Sequence, residues 1–233
     1  MPESQLLDNP IWHSLLTGHR DLAEGGALAR RFPAFIGPLA GLAEDSASAW
    51  QALRPLAGPQ GVVALFFRQA PSPPPGWKLI RVGPLLQMVA APVAPTGLPE
   101  LPAEASLRRL TPSDAPAMVA LAELTEPGPF RLRTIELGAF FGVFHGPELM
   151  AMAGQRLRLP DMVELSGVCT HPDARGRGYA RLLMARVIEE ILAEGKTPFL
   201  HVLAENEAAI RVYRDLGFVP ARDLVYGVFL RQD

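Results

Sequence analysis

The sequence predicts an α/β protein whose C-terminal half is a mixed sheet with helices on its faces. Three observations carry that expectation. After residue 105, apolar runs of strand length and helical period follow one another in the order β-α-α-β-β-β-α-β-α-β-β. Turn residues punctuate them, and a glycine-rich turn joins one strand directly to the helix after it. The 233-residue chain accommodates one large domain or two small ones. Its 48% apolar and 20% charged residues are ordinary globular usage, which excludes a disordered tail.

The N-terminal half is read first. Residues Asn9 to Arg31 predict one or two helices, because Leu15, Leu16, Leu22 and Leu28 recur at helix-like spacing interrupted by Gly18, Gly25 and Gly26. Val62 to Phe67 and Leu79 to Ala90 predict strands, with Pro71, Pro73, Pro74 and Pro75 in a loop between them. Trp12, His13 and His19 read as ordinary amphipathic surface and receive no role. Pro92, Pro95, Pro99 and Pro102 fix φ and remove amide donors, so residues 92–105 read as an extended linker. The expected division is an α/β domain of unassigned role over 1–100 and a catalytic domain over 101–233.

Beyond the linker, Ser106 to Leu110 predicts a short strand, Ser113 an N-cap for a helix through Leu124, and Phe130 to Leu137 a second short helix. Ala139 to Phe144, Leu149 to Leu157 and Met162 to Thr170 predict an antiparallel meander, with turns at His145-Gly146-Pro147 and Leu159-Pro160-Asp161. Leu182, Leu183, Val187, Ile188 and Ile191 form one face of a helix from Tyr179 to Ala193 that stops at Gly195. A strand over 198–203, a helix over 205–216 and a final pair of strands from Phe218 complete the order.

Charge and cysteine content narrow the function. A net charge of -2 and pI near 6.2 remove the broad positive field of a nucleic-acid or anionic-membrane binder, so any anion site is local. The lone Cys169 excludes an intrachain disulfide framework and a multi-cysteine zinc site, so no metal is expected. With no basic leader and no apolar span of about 20 residues, the expected location is the cytoplasm.

The chemistry gathers at His171 to Ala180. The first turn of a helix leaves amides without intrahelical acceptors, and its dipole favours an anion there. Gly176 and Gly178 let the backbone curl around a pyrophosphate, and Arg175 and Arg177 add charge. A Walker loop is excluded by the missing Gly-Lys-Ser/Thr, and a Rossmann fingerprint by Arg181 at its third glycine position.

The run Arg175-x-x-Gly178-x-Ala180, after Val168-Cys169-Thr170, resembles the acetyl-CoA-binding motif of the GNAT superfamily. Asn206 to Phe218 resembles the same family's N-x-x-A-x-x-x-Y-x-x-x-G-F signature, and the resemblance covers roughly residues 105–233. It implies a mostly antiparallel mixed sheet flanked by helices, and an acetyl-CoA-dependent N-acetyltransferase acting on a primary amine of a small molecule or peptide. The amides of Arg175, Gly176, Arg177, Gly178, Tyr179 and Ala180 would hold the pyrophosphate, and the backbone of Val168, Cys169 and Thr170 would pair with the pantetheine arm. Asn206 corresponds to a cofactor-contacting asparagine, Tyr213 to a tyrosine that protonates the departing thiolate or hydrogen-bonds to it, and Glu164 to the general base of some members. His201 is a minor candidate for the same proton transfer, and Cys169 is expected to be a structural thiol. The layout is similar to the glycine N-acyltransferase-like branch. A separate reading gives residues 1–100 a structural role, as a degenerate half of the same fold that caps the site or forms a homodimer contact. The alternative reading is a module that holds acyl-CoA without transferring the group.

Overall fold

The computed structural model describes residues 3–91, 95–125 and 128–232. In chain order its helices are α1 (Glu3–Leu6), α2 (Pro10–Leu16), α3 (Ala47–Ala57), α4 (Ala115–Thr125), α5 (Tyr179–Ala193) and α6 (Glu207–Asp215). Its strands are β1 (Glu24–Gly25), β2 (Ala29–Arg31), β3 (Ala40–Leu42), β4 (Val62–Phe67), β5 (Trp77–Ala90) and β6 (Ala105–Arg109), then β7 (Phe140–His145), β8 (Glu148–Arg158), β9 (Met162–Thr170), β10 (Thr197–Leu203) and β11 (Phe218–Arg231). Strands β1 to β3 form a small antiparallel sheet, and the other eight form one mixed sheet in the order β4-β11-β5-β10-β9-β8-β7-β6. The meander expected over 139–170 is present as β7 to β9, with β6 added at its edge.

Helix α5 buries the stripe read from its sequence: Leu183, Val187, Ile188 and Ile191 are fully buried against Val163 and Leu165 of β9. Withdrawing each such side chain from water contributes about 1.5–3 kcal/mol, so this face holds the helix onto the sheet. Helix α6 covers the same face through Ile210 and Leu216. Helices α2 and α4 cover the opposite face, α2 against Met162 and Phe199, α4 against Phe140, Met152 and Cys169.

Several expectations are corrected. The region expected to be helical up to Arg31 ends its α-helix at Leu16, and Ala29–Arg31 is a strand. Helix α3, which alternating short residues concealed, buries Trp50 and Leu53 under a Ser46 cap. Trp12 and His19 are buried, not surface residues. Ser113 is not the cap of α4. It lies in the 3-10 turn Pro112–Asp114, where the Thr111 amide donates to Asp114 Oδ2 at 2.8 Å and closes a capping box. The helix expected over 130–137 is a 3-10 turn, Thr134–Leu137. The expected final pair of strands is the single long β11, which stays continuous because it lies between β4 and β5.

The boundary expected near residue 100 falls between β5 and β6, two strands of the same sheet. β5 sits between β10 and β11, so residues 77–90 are interior to the large sheet, while residues 24–42 form the small one. The linker reads as irregular chain over its described part, Pro92 lying outside the described residues, and its Leu98 and Leu101 pack on the main core.

Candidate active site

One pair of strands in the large sheet is parallel, β9 with β10. Their register runs through Thr197–Met162, Pro198–Val163 and Phe199–Glu164, and stops there. Beyond it β10 follows β5, through Leu203–Leu85, while β9 follows β8, through Thr170–Ala151. Gly167 contributes to the departure: its φ of +63° makes a bulge that turns β9 and that a side chain would strain. The inner edge of β9 from Leu165 to Thr170 therefore has no strand partner, and its backbone groups can pair with an extended ligand. Val168, Cys169 and Thr170, expected to offer their backbone, lie on this edge. The Cys169 side chain points away toward α4, and burial pushes its thiol up to about 11.

At the mouth of the opening stands the N-terminus of α5. Among the described residues, the amides from Gly176 to Arg181 donate to no protein acceptor, the first intrahelical bond being Leu182 N–H to the Gly178 carbonyl at 3.1 Å. Gly178 caps the helix with φ +78°, and a Cβ there would lie 2.7 Å from Cγ of Pro99. Both conformation and space thus demand glycine. Arg175, Gly176 and Arg177 are exposed beside it, and Arg177 reaches Glu104 at 3.8 Å. Ala180 is half-buried. The Tyr179 side chain turns inward, fully buried, with its hydroxyl 2.7 Å from Nε2 of His145, so only its amide faces the loop.

Tyr213 approaches the opening from the face of α5 and α6, its ring edge-on to Phe218 at 6.1 Å. Burial, reinforced by the charge of Glu164, pushes its hydroxyl up to about 12, which keeps it protonated at neutral pH. Asn206 caps α6, its Oδ1 accepting from the Ala209 amide at 3.1 Å. Its exposed side chain is at the same end of the sheet.

On the other face lies a network that the sequence did not reveal. Glu164 is fully buried, and Arg156 grips it with two hydrogen bonds, Nη2 to Oε1 at 2.6 Å and Nε to Oε2 at 2.8 Å. His201 Nδ1 meets Oε1 at 2.6 Å, and Nε2 of the same ring meets Gln87 Nε2 at 2.9 Å. The sensible assignment is Nδ1–H donating to Glu164 and the Nε2 lone pair accepting from the Gln87 amide. Burial alone would raise the Glu164 carboxyl, but Arg156 and His201 outweigh it and hold it down to about 2. Burial, only partly offset by Glu164, lowers His201, so the ring is neutral. A carboxylate with both oxygens engaged and so low a proton affinity is a counter-ion that orients its neighbours and a poor proton acceptor. The His201 ring, with both nitrogens occupied, is likewise held in place. Arg156 and Gln87 had no motif to mark them, since they lie on different strands, far from each other in the chain.

A family model described as FR47-like protein matches residues 140–226, which span this site. The crystal structure of a GNAT-family protein from Novosphingobium aromaticivorans DSM 12444 superposes with a TM-score of 0.88 at 38% identity, covering 97% of this chain and 99% of that one. The chain belongs to the GNAT family. Two curated relatives match parts of it. One is a mycothiol acetyltransferase of Streptomyces scabiei, 34% identical over 90 residues, or 37% of this chain and 29% of that protein. The other is the ribosomal protein bS18-alanine N-acetyltransferase of Salmonella typhimurium, 39% identical over 59 residues, 25% of this chain and 40% of that protein. The chain thus spans well under half the length of either relative it matches.

Proposed function

We propose that the protein is an acetyl-CoA-dependent N-acetyltransferase, moving the acetyl group to a primary amine of a small molecule or peptide. The observation that carries this is the parting of β9 from β10 beyond Glu164–Phe199, with the free amides of α5 at its mouth. The donor fits these residues. The amides of Gly176 to Ala180 with Arg175 and Arg177 would hold its pyrophosphate, the β9 edge from Val168 to Thr170 its amide-bearing arm, and Asn206 its outer part. When bound, the donor supplies a thioester carbonyl for direct attack by a neutral amine. Tyr213, protonated and half-buried beside the opening, would deliver a proton to the leaving sulfur, and the proton shed by the attacking nitrogen would return to the phenolate through water. Glu164 would act as a positioning residue, holding Arg156 and His201 as a rigid floor opposite Tyr213. The lone, buried Cys169 accords with a cytoplasmic setting.

The test is calorimetric titration with acetyl-CoA, with desulfo-CoA and NAD as comparison ligands, followed by thiol release on adding amines. Micromolar binding of the CoA ligands alone, about -8 kcal/mol, together with amine-dependent thiol release is expected. Absence of CoA binding would overturn the assignment, and binding without release to any amine would reduce the protein to an acyl-CoA-binding module.

A further inference from the structure

The face of the sheet that carries Glu164 also carries a broad groove of about 630 Å³ at its β4, β11 and β5 end. Arg31, Arg81 and Arg131 line it, and the remaining lining residues, Ile80 and Pro129 among them, are apolar. Among the described residues no carboxylate lines the groove and none is within ion-pair distance of these three arginines. Arg31 is buried and pinned, Nε donating to the Phe32 carbonyl at 2.8 Å and Nη1 to the Leu56 carbonyl at 3.0 Å. Arg131 donates Nη1 to the Phe130 carbonyl at 3.3 Å, and Arg81 is exposed. Burial lowers the proton affinity of Arg31, partly offset by the charge of Glu24, its cross-strand neighbour on β1.

Two small cavities adjoin the groove on the side of the reaction centre. Pro38 and Pro129 line both it and a small cavity of about 20 Å³, which also touches Thr134 and Arg156. Pro129, Thr134 and Arg156 in turn line another cavity of about 20 Å³ that ends at Ser166 and Gly167, on β9 where the strands part. Each small cavity has room for about one water-sized group, so the series is wide and cationic at the groove and narrow toward β9.

We propose that this groove and throat are the acceptor channel, and that the acceptor is an amine on a slender, unbranched arm whose far end carries a carboxylate or phosphate. This rests on the acetyl-transfer reading above. Arg81 and Arg131 are exposed at the groove without an ion-pair partner among the described residues, and an anion with two or more oxygens can accept their paired N–H donors. The narrow throat rejects a branched amine, while the Arg156–Glu164 pair leaves its inner end electrically balanced.

The test has two arms on the full chain. In the first, hexanoate, hexyl phosphate and hexanol are titrated while the side-chain Nε–H signals of Arg81 and Arg131 are followed by NMR. Shifts with the anions and not with hexanol are expected, with affinity at least about tenfold weaker in Arg81→Gln/Arg131→Gln, a loss of about 1.4 kcal/mol. The tighter anion identifies the head group. Equal response to hexanol, or unchanged affinity in the variant, overturns the anion site. In the second arm, acetylation of 6-aminohexanoate or 6-aminohexyl phosphate, whichever head group the first arm selects, is compared with that of hexylamine at fixed acetyl-CoA. A KM at least tenfold lower for the anionic amine, lost in the variant, supports the channel, and equal KM values overturn it. If the anions bind at Arg81 and Arg131 but neither amine is acetylated by protein shown to bind acetyl-CoA, the acceptor assignment falls. Failure to bind acetyl-CoA at all is the separate failure of the transferase reading.

Discussion

Arg156 and Glu164 face each other across the β8–β9 pair, joined by two hydrogen bonds of 2.6 and 2.8 Å, with the glutamate side chain fully buried and the arginine side chain 19% exposed. Removing one partner leaves the other charge in a site built for two. Glu164→Gln is therefore expected to lower unfolding free energy by about 3 kcal/mol in urea melts. Arg156→Met/Glu164→Leu should recover much of that loss. If the single variant melts like wild type, the pair is not a structural linchpin.

The position of Gly178 gives a second expectation. Gly178→Ala places a Cβ at 2.7 Å from Pro99 and forces a side chain into φ +78°. Acetyl-CoA affinity should fall by about tenfold or more as the loop amides shift, since misplacing an oriented donor removes most of its contribution. Adding Pro99→Gly should restore part of the binding by removing the clash, leaving the conformational strain. Calorimetry on the three proteins decides it.

Tyr213→Phe isolates the hydroxyl. Loss of a proton donor to the leaving thiolate should lower kcat by about 10- to 1,000-fold with acetyl-CoA affinity little changed. Because burial pushes this phenol up to about 12, no loss of kcat assignable to its ionisation is expected between pH 7 and 10. Unaltered turnover in the variant removes Tyr213 from the chemistry.

His19 makes stability depend on acidity. Its Nε2–H donates to the Leu137 carbonyl at 2.9 Å, and its Nδ1 accepts from Ser14 Oγ at 2.8 Å, which itself accepts the Arg158 amide at 3.0 Å. Burial lowers its proton affinity to about 4 from 6.5. The folded state thus binds its proton less readily than the unfolded chain. The stability this contributes is complete above about pH 6.5 and is lost as pH falls toward 4, on the order of 3 kcal/mol in all. In urea melts from pH 7.5 to 4, His19→Gln should flatten that slope. An identical slope in the variant would assign it to other groups.

Cys169 should resist chemistry. With its thiol buried and pushed up to about 11, alkylation by iodoacetamide is expected only on unfolding, and Cys169→Ala should keep acetyl-CoA binding. Rapid labelling of the native protein would contradict this.

Local pattern determined much of this protein. The meander of β7 to β9, the apolar face of α5 and the glycine-rich turn before it depend on residues adjacent in the chain, and periodicity and turn chemistry report such features directly. The two motifs from which a donor site is proposed are local in the same sense: Gly178 needs its left-handed φ whatever surrounds it, and Asn206 caps the helix it precedes. What the tertiary structure alone decided are relationships between distant strands. β5 enters the large sheet between β10 and β11 because its apolar residues find burial there, across a proline-rich stretch that reads as a boundary. Glu164 reads as a candidate base until folding brings Arg156 and His201 around it, and the three arginines of the groove come from separate elements. A charge becomes a base, a counter-ion or an anion receptor according to which groups surround it and how much water they exclude, and those neighbours are set by packing across the fold rather than by order along the chain.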